Sequence, residues 1–202
     1  MSQQEASFDF TTVGNNNTRP QKTAENTLPG DLNAQQLLER IIRVDHAGEY
    51  GAKRIYEGQL AVLGKSACAP MIRHMANQEQ AHLEEFERQI IKRRVRPTLL
   101  HPFWHVAGFA LGAATALMGE KTAMACTVAV EQVIDEHYGK QAEKLGEDEA
   151  ELRRKIEEFR ADEVEHRDAG LAHNAEQAPG YEAISALIKL GTKAAIWFSE
   201  RA

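Results

Sequence analysis

The sequence predicts an all-α protein in which four long helices share a core and two further helices lie against them. Three observations predict it. Among the 202 residues Ala, Glu, Leu, Gln, Lys and Arg dominate, and the β-branched runs that mark strands are missing. Apolar residues recur at helical spacing through several long stretches. Helix start and stop residues, not the paired turns of a sheet, bound those stretches.

The first helix is expected over 33–63. Asn33 can cap it with Gln36 as reciprocal partner, and Gly64 suits the position past its end. Ile42, Glu49, Ala52, Tyr56 and Leu63 fall on one face, apolar except for Glu49 and the tip of Tyr56. A second helix opens near Pro70, a favoured first-turn residue, and stops before Pro97. Its inner face reads Met71, Met75, Glu79, His82, Phe86 and Ile90. An apolar crossover spans 101–119. A third bundle helix covers 120–145, with Met124, Thr127, Val128, Glu131, Asp135 and Tyr138 in line and Gly146 closing it. The fourth, over 148–174, aligns Leu152, Ile156, Phe159, Glu163, His166 and Gly170. Pro179-Gly180 breaks the chain before an amphipathic helix over 181–201.

The bundle helices form a quasi-repeat. Each half is a helix with one inward Glu, a turn, and a helix with inward Glu-x-x-His. Thirty residues part Glu49 from Glu79, and thirty-two part Glu131 from Glu163. One Glu from each of two helices plus Glu-x-x-His from each of two others is the layout of ferritin-like di-iron bundles. The expected fold is therefore a ferritin-like four-helix bundle with an apolar crossover helix and a C-terminal amphipathic helix. It occupies residues 31–202, behind an extension over 1–30.

The i, i+3 spacing brings Glu and His to about 5–6 Å at Cβ, close enough to share a metal. The candidate ligands are Glu49, Glu79, His82, Glu131, Glu163 and His166. Carboxylate with imidazole, and no thiolate, favours iron or manganese over a structural zinc. In a helical chain with eight histidines a single Glu-x-x-His arises by chance, so either motif alone reads as surface charge. Four acids facing one core are different: without cations each would cost on the order of several kcal/mol or stay protonated.

A ligating imidazole usually donates its other N–H to a carboxylate or carbonyl. Asp135, one turn beyond Glu131, is the first candidate, with Asp162 and Asp45 behind it; each also reads as an ordinary surface acid. Tyr56 and Tyr138 stand two turns after Glu49 and Glu131, and core packing is the commoner role for such rings. His137 beside Tyr138 makes that pair a candidate relay for protons and electrons. His46 and Tyr50 flank Glu49, where a solvated face competes with a pocket lining.

A net charge of −6 argues against a nucleic-acid partner. The run Lys92-Arg93-Arg94-Val95-Arg96 either complements a helix C-terminus or meets anionic lipid. Cys68 and Cys126 lack any paired spacing, so neither a disulfide framework nor a zinc site follows. Residues 1–30, rich in Gln, Asn and Thr, read as a disordered extension. They resemble neither a mitochondrial presequence nor a secretory signal, which points to a bacterial cytoplasmic address. From Phe103 to Met118 no charge appears except at His105, yet the stretch is short of the roughly 20 residues that span a bilayer. It is either buried as a crossover or lies in the membrane interface. Trp104, the basic run and the last helix favour the interface; that helix carries Ile184, Leu187, Ile188, Ala195, Ile196, Trp197 and Phe198, with Lys189 and Lys193 able to snorkel.

These residues resemble the demethoxyubiquinone hydroxylases of ubiquinone biosynthesis. The resemblance runs from Leu37 to the C-terminus. It is carried by Arg43-Val-Asp-His-Ala-Gly-Glu49-Tyr-Gly-Ala, Glu79-Gln-Ala-His82-Leu, Val130-Glu131 through Asp135-Glu-His137-Tyr138, Asp162-Glu163-Val-Glu-His166-Arg and the closing Lys193-Ala-Ala-Ile-Trp-Phe-Ser-Glu200-Arg. The first motif and the ending are specific to the family; Glu-x-x-His is shared by all di-iron carboxylate proteins. The resemblance implies a di-iron monooxygenase that hydroxylates the ring of a polyprenylated demethoxyubiquinol. It further implies two iron ions on the six ligands, dioxygen, and electrons from NAD(P)H or a reduced quinone, with His137 and Tyr138 as the relay. Its setting would be peripheral, on the cytoplasmic face of the bacterial inner membrane. The apolar surface leaves other ubiquinone-biosynthesis proteins or a second copy of the chain open as partners. No dinucleotide fingerprint appears. A rubrerythrin-like or tRNA-modifying enzyme fits less well, since the cysteines and the basic face they would need are missing, and so does an iron-storage shell.

Overall fold

The computed structural model describes residues 30–202, and the extension expected over 1–30 lies, but for Gly30, outside the described residues. Leu32–Ala202 holds six α-helices and, among the described residues, no strand. They are α1 (Ala34–Leu63), α2 (Ala69–Arg93), α3 (His101–Leu117), α4 (Glu120–Ala142), α5 (Ala150–Ala172) and α6 (Tyr181–Ser199).

The capping box at the start of α1 forms as the spacing predicts. The Gln36 N–H donates to the Asn33 side chain at 2.8 Å, and the Asn33 N–H donates to the Gln36 side chain at 3.1 Å. Gly64 ends α1 with an ordinary right-handed φ of −62°, so its freedom is unused. The α2 helix stops sooner than Pro97 alone would require. Arg94 turns left-handed (φ 55°) and the Val95 N–H closes on the Ile90 carbonyl at 3.0 Å, a Schellman-type ending. The α4 helix also ends before the expected 145, although Leu145 remains buried. A short 3₁₀ turn, Glu147–Glu149, carries the chain into α5, pinned where the Arg93 guanidinium forks onto Glu149 at 2.8 and 2.6 Å. That fork also gives Arg93 of the basic run a structural use.

Helices α1, α2, α4 and α5 form the bundle, α1 packing on α2 and α4 on α5, while α3 lies along α1 and α6 along α4. The α1–α3 seam is tight. A Cβ on Gly58 or Gly112 would strike α3 or α1 backbone, and one on Gly108 would sit 2.9 Å from the Gly51 carbonyl. Two apolar clusters fill the two ends of the bundle. One gathers Tyr56, Ile72, Met75, Met124 and Val128; the other Ile42, Phe86, Tyr138, Ile156 and Phe159. On every bundle helix the acidic residue falls between its contributions to these clusters, so the acids meet at mid-height.

The outer helices invert the usual amphipathic rule. In α3 only Gly112, Thr115 and Ala116 are buried, whereas Phe103, Val106 and Leu117 are 60–75% exposed. In α6, Ile188 turns inward but Leu187, Leu190, Trp197 and Phe198 face outward. No described helix is long and apolar enough to cross a membrane.

Candidate metal centre

All six expected ligands meet in one place, each at most 2% exposed. Glu49 comes from α1, Glu79 and His82 from α2, Glu131 from α4, Glu163 and His166 from α5. They divide into two overlapping groups, Glu49, Glu79, His82 and Glu163 against Glu79, Glu131, Glu163 and His166, within each of which one ligand atom per residue lies within 4.8 Å of the others. Glu79 and Glu163, the acids of the two Glu-x-x-His turns, belong to both groups. Either group could hold a metal ion.

The atoms that face the centre find no hydrogen-bond partner outside the cluster. Glu79 Oε2 and Glu131 Oε2 are buried without a partner, and the other inward atoms meet only one another: His82 Nδ1 lies 3.4 Å from Glu49 Oε2 and 3.3 Å from Glu163 Oε1, and His166 Nδ1 lies 3.2 Å from both Glu79 Oε1 and Glu163 Oε2. An orphaned buried polar atom is costly, and a cluster of acceptors pointing at one point is the pattern a cation satisfies. Burial raises the carboxyls of Glu49, Glu79 and Glu131, with Glu163 adding to it at all three. Burial would raise Glu163 as well, but His166 and His82 outweigh it and hold that group low. Burial would lower both imidazoles, yet the facing carboxylates raise them. Protons therefore balance the charge here until a metal replaces them.

The two imidazoles are oriented from behind. His82 Nε2 lies 3.0 Å from Asp162 Oδ2, and His166 Nε2 lies 3.1 Å from Gln78 Oε1. Each Nε2 donates outward, which turns Nδ1 toward the centre. Asp135, the first candidate for this task, does not perform it: it pairs with Arg160 at 2.5 Å and Arg167 at 3.7 Å on the outside of the bundle. Asp162 does perform it, and Gln78 was missed. Its signal was available, because Gln78 precedes Glu79 just as Asp162 precedes Glu163.

The tyrosines cross between the halves. Tyr56 of α1 donates to Glu131 Oε1 at 2.7 Å, and Tyr138 of α4 donates to Glu49 Oε1. Each thus holds one oxygen of an acid that belongs to a single group and leaves the other for a metal. The His137 ring lies 6.4 Å from that of Tyr138, and its Nε2 receives Gln141 at 2.8 Å. Gln141 also donates to the buried Asp45 at 2.7 Å, and burial raises the Asp45 carboxyl. His46 and Tyr50 are not on a solvated face. His46 is buried, stacked 5.6 Å from His101 and lowered to about 4 by burial and by that neighbour. The Tyr50 hydroxyl meets His105 Nδ1 at 2.5 Å.

Beside the acids is a void of about 20 Å³ lined by Asp45, Glu49, Glu131, His137 and Tyr138. Next to it a cavity of about 220 Å³ opens between α1, α3, α4 and α6, lined by Gly48, Gly51, Ile55, Trp104, Leu111 and Ala195 among others. The two spaces share Val44, Gly48, Ala52, Ile134 and Ile196 as walls.

Residues 36–199 match the family model described as "Ubiquinone biosynthesis protein COQ7". A curated relative, the 3-demethoxyubiquinol 3-hydroxylase of Rhodospirillum rubrum, is 58% identical over 181 residues, covering 89% of this chain and 85% of its own. The mitochondrial NADPH-dependent 3-demethoxyubiquinone 3-hydroxylase of Dictyostelium discoideum is 52% identical over 198 residues, 96% of this chain and 91% of its own. The human enzyme of the same name is 52% identical over 168 residues, covering 81% and 77%.

Proposed function

Because the chain belongs to the COQ7 family of ubiquinone biosynthesis proteins, we propose that it hydroxylates the ring of a polyprenylated demethoxyubiquinol at a two-iron centre. The observation that carries this reading is the convergence of buried ligand atoms on Glu49, Glu79, His82, Glu131, Glu163 and His166, which form no hydrogen bond on their inward side. Iron bound there supplies dioxygen activation. Glu79 and Glu163, common to both groups, would hold both ions, with Glu49 and His82 at one and Glu131 and His166 at the other. Tyr56 and Tyr138 hold Glu131 and Glu49 in place, and the apolar clusters above and below keep water out.

The ring gains one oxygen atom. The other leaves as water, which takes two electrons and two protons: NAD(P)H supplies the electrons with one proton and solvent the second proton, or a reduced quinone supplies both of each. In this reading His137 and Tyr138 pass them, supported by the contact of Tyr138 with Glu49 and the link of His137 through Gln141 to Asp45. The outward apolar side chains of α3 and α6 support peripheral attachment to a membrane, from which a lipophilic quinol is drawn.

The test incubates iron-loaded protein with a demethoxyquinone, NADH and dioxygen. A product heavier by one oxygen atom is expected by mass spectrometry; no such product, with iron uptake far beyond two ions per chain, overturns the reading. Liposome flotation tests attachment, which a chain remaining at the bottom of the gradient would refute.

A further inference from the structure

The glycines of the α1–α3 seam fall into two kinds. Gly58, Gly108 and Gly112 are required by packing, because a Cβ on any of them would press on neighbouring backbone or a side-chain stem. Gly48 and Gly51 are not. Both lie inside α1, where glycine weakens a helix relative to alanine, both have ordinary backbone, and a Cβ on either would meet nothing within 4 Å. Both residues line the 220 Å³ cavity, and Gly48 lines the small void beside the acids as well.

The sizes of the two spaces decide what each can admit. About 20 Å³ beside the acids accommodates something the size of a water molecule and excludes a ring. An apolar cavity of roughly 150 Å³ takes up benzene, so 220 Å³ admits a ring with small substituents. The larger cavity shares five wall residues with the smaller void. Beside that shared wall Asp45, 2% exposed, ends in an Oδ2 without a hydrogen-bond partner. Trp104, on the α3 wall, has an indole N–H that is buried without an acceptor.

We propose that Gly48 and Gly51 are specificity-determining residues: their missing side chains make the slot in which the substituted ring of the quinol lies against α1, with the Trp104 N–H donating to a ring oxygen. This rests on the quinol reading above, which supplies the ring. The slot sets the limit on ring substituents rather than on tail length.

The test uses the full chain with Trp197→Phe, so that Trp104 alone reports by fluorescence, and a short-tailed demethoxyquinone as the quenching probe. Saturable quenching is expected in that background, with or without iron. Gly48→Ala and Gly51→Ala should each weaken probe binding and raise KM by about tenfold, and the double variant more. Iron content should stay at the parent level, and Tm should rise by about 2 °C per substitution from the regained helix propensity. A probe whose ring lacks its methyl group should recover part of the lost affinity; shortening the tail should not. Unchanged affinity in both variants overturns the proposal, as does lower Tm or iron loss, which would show a structural need for glycine. Saturable quenching without any hydroxylated product would leave the slot standing and sink the assigned reaction instead.

Discussion

The two halves of the bundle, α1 with α2 and α4 with α5, repeat one another in every ligand but not in what stands behind the ligands. Each supplies one acid that belongs to a single group, one acid common to both groups and one histidine. Each sends a tyrosine across to the other half's single-group acid, Tyr56 to Glu131 and Tyr138 to Glu49. The histidines are also supported from across the bundle at matching positions, yet His82 rests on a carboxylate, Asp162, and His166 on a neutral amide, Gln78. A carboxylate partner makes an imidazole a stronger electron donor than an amide does. The ligand geometry therefore gives two similar positions, and the supports make them electronically different.

The strongest way to break the comparison is to remove a residue that both halves use. Glu163→Ala takes a ligand from both groups, so iron measured by elemental analysis and hydroxylation measured by product mass should both be lost. A fully loaded, active variant would refute the ligand set. Next come the supports. Asp162→Asn should weaken iron at the His82 position by about 10- to 100-fold while sparing the other, seen as one altered doublet by Mössbauer spectroscopy. Gln78→Glu should make the two doublets converge; two unchanged doublets would show that the supports do not tune the ions.

The acids and imidazoles also make a pH prediction. His82 and His166 are raised above 6.5 in the folded chain, so the stability they contribute is complete below that pH and is lost as pH rises. The raised Glu49, Glu79 and Glu131 act in the same sense above 4.5. Metal-free protein should thus lose Tm between pH 5.5 and 8.5, whereas iron, which displaces those protons, should stabilise it more at the higher pH. Calorimetry on both forms checks the sign, and a metal-free Tm that climbs over this range would contradict it. The smallest effect belongs to the crossing tyrosines. Tyr56→Phe and Tyr138→Phe should each cost about 1–3 kcal/mol by leaving a buried carboxylate oxygen without its donor, equally if the halves are equivalent here, as read from denaturant midpoints.

The ligands were legible in the sequence because helical periodicity alone puts Glu49, Glu79, His82, Glu131, Glu163 and His166 on inward faces, and burying four acids demands a counter-charge. The supports were less legible. Which acid backs His82 depends on the relative height of α2 and α5, and spacing along one chain does not specify that. Asp135 illustrates the difficulty: one turn from Glu131, it is turned outward to Arg160 and Arg167. Applying the quasi-repeat to the residues before the shared acids would have found Gln78 beside Asp162. Helix ends misled where burial outlasts the helix, as at Leu145, and His46 and Tyr50 were misjudged because α3 covers them. The outward apolar face of α3 was foreseen as one of two readings; the tight glycine seam to α1 explains how one helix can be firmly docked and still expose its large side chains.

The buried acid cluster has a further consequence, for how long a newly made chain survives. A chain still waiting for metal holds protons where cations belong and opens more often than a loaded one, because a ligand bound only to the folded state adds its binding energy to stability. Proteases sample that open state. Iron supply should therefore set the abundance of this protein after translation, shortening its half-life under chelation in a pulse-chase measurement while its message is unchanged. The cluster that serves the reaction would then also act as a quality gate, keeping empty chains from accumulating.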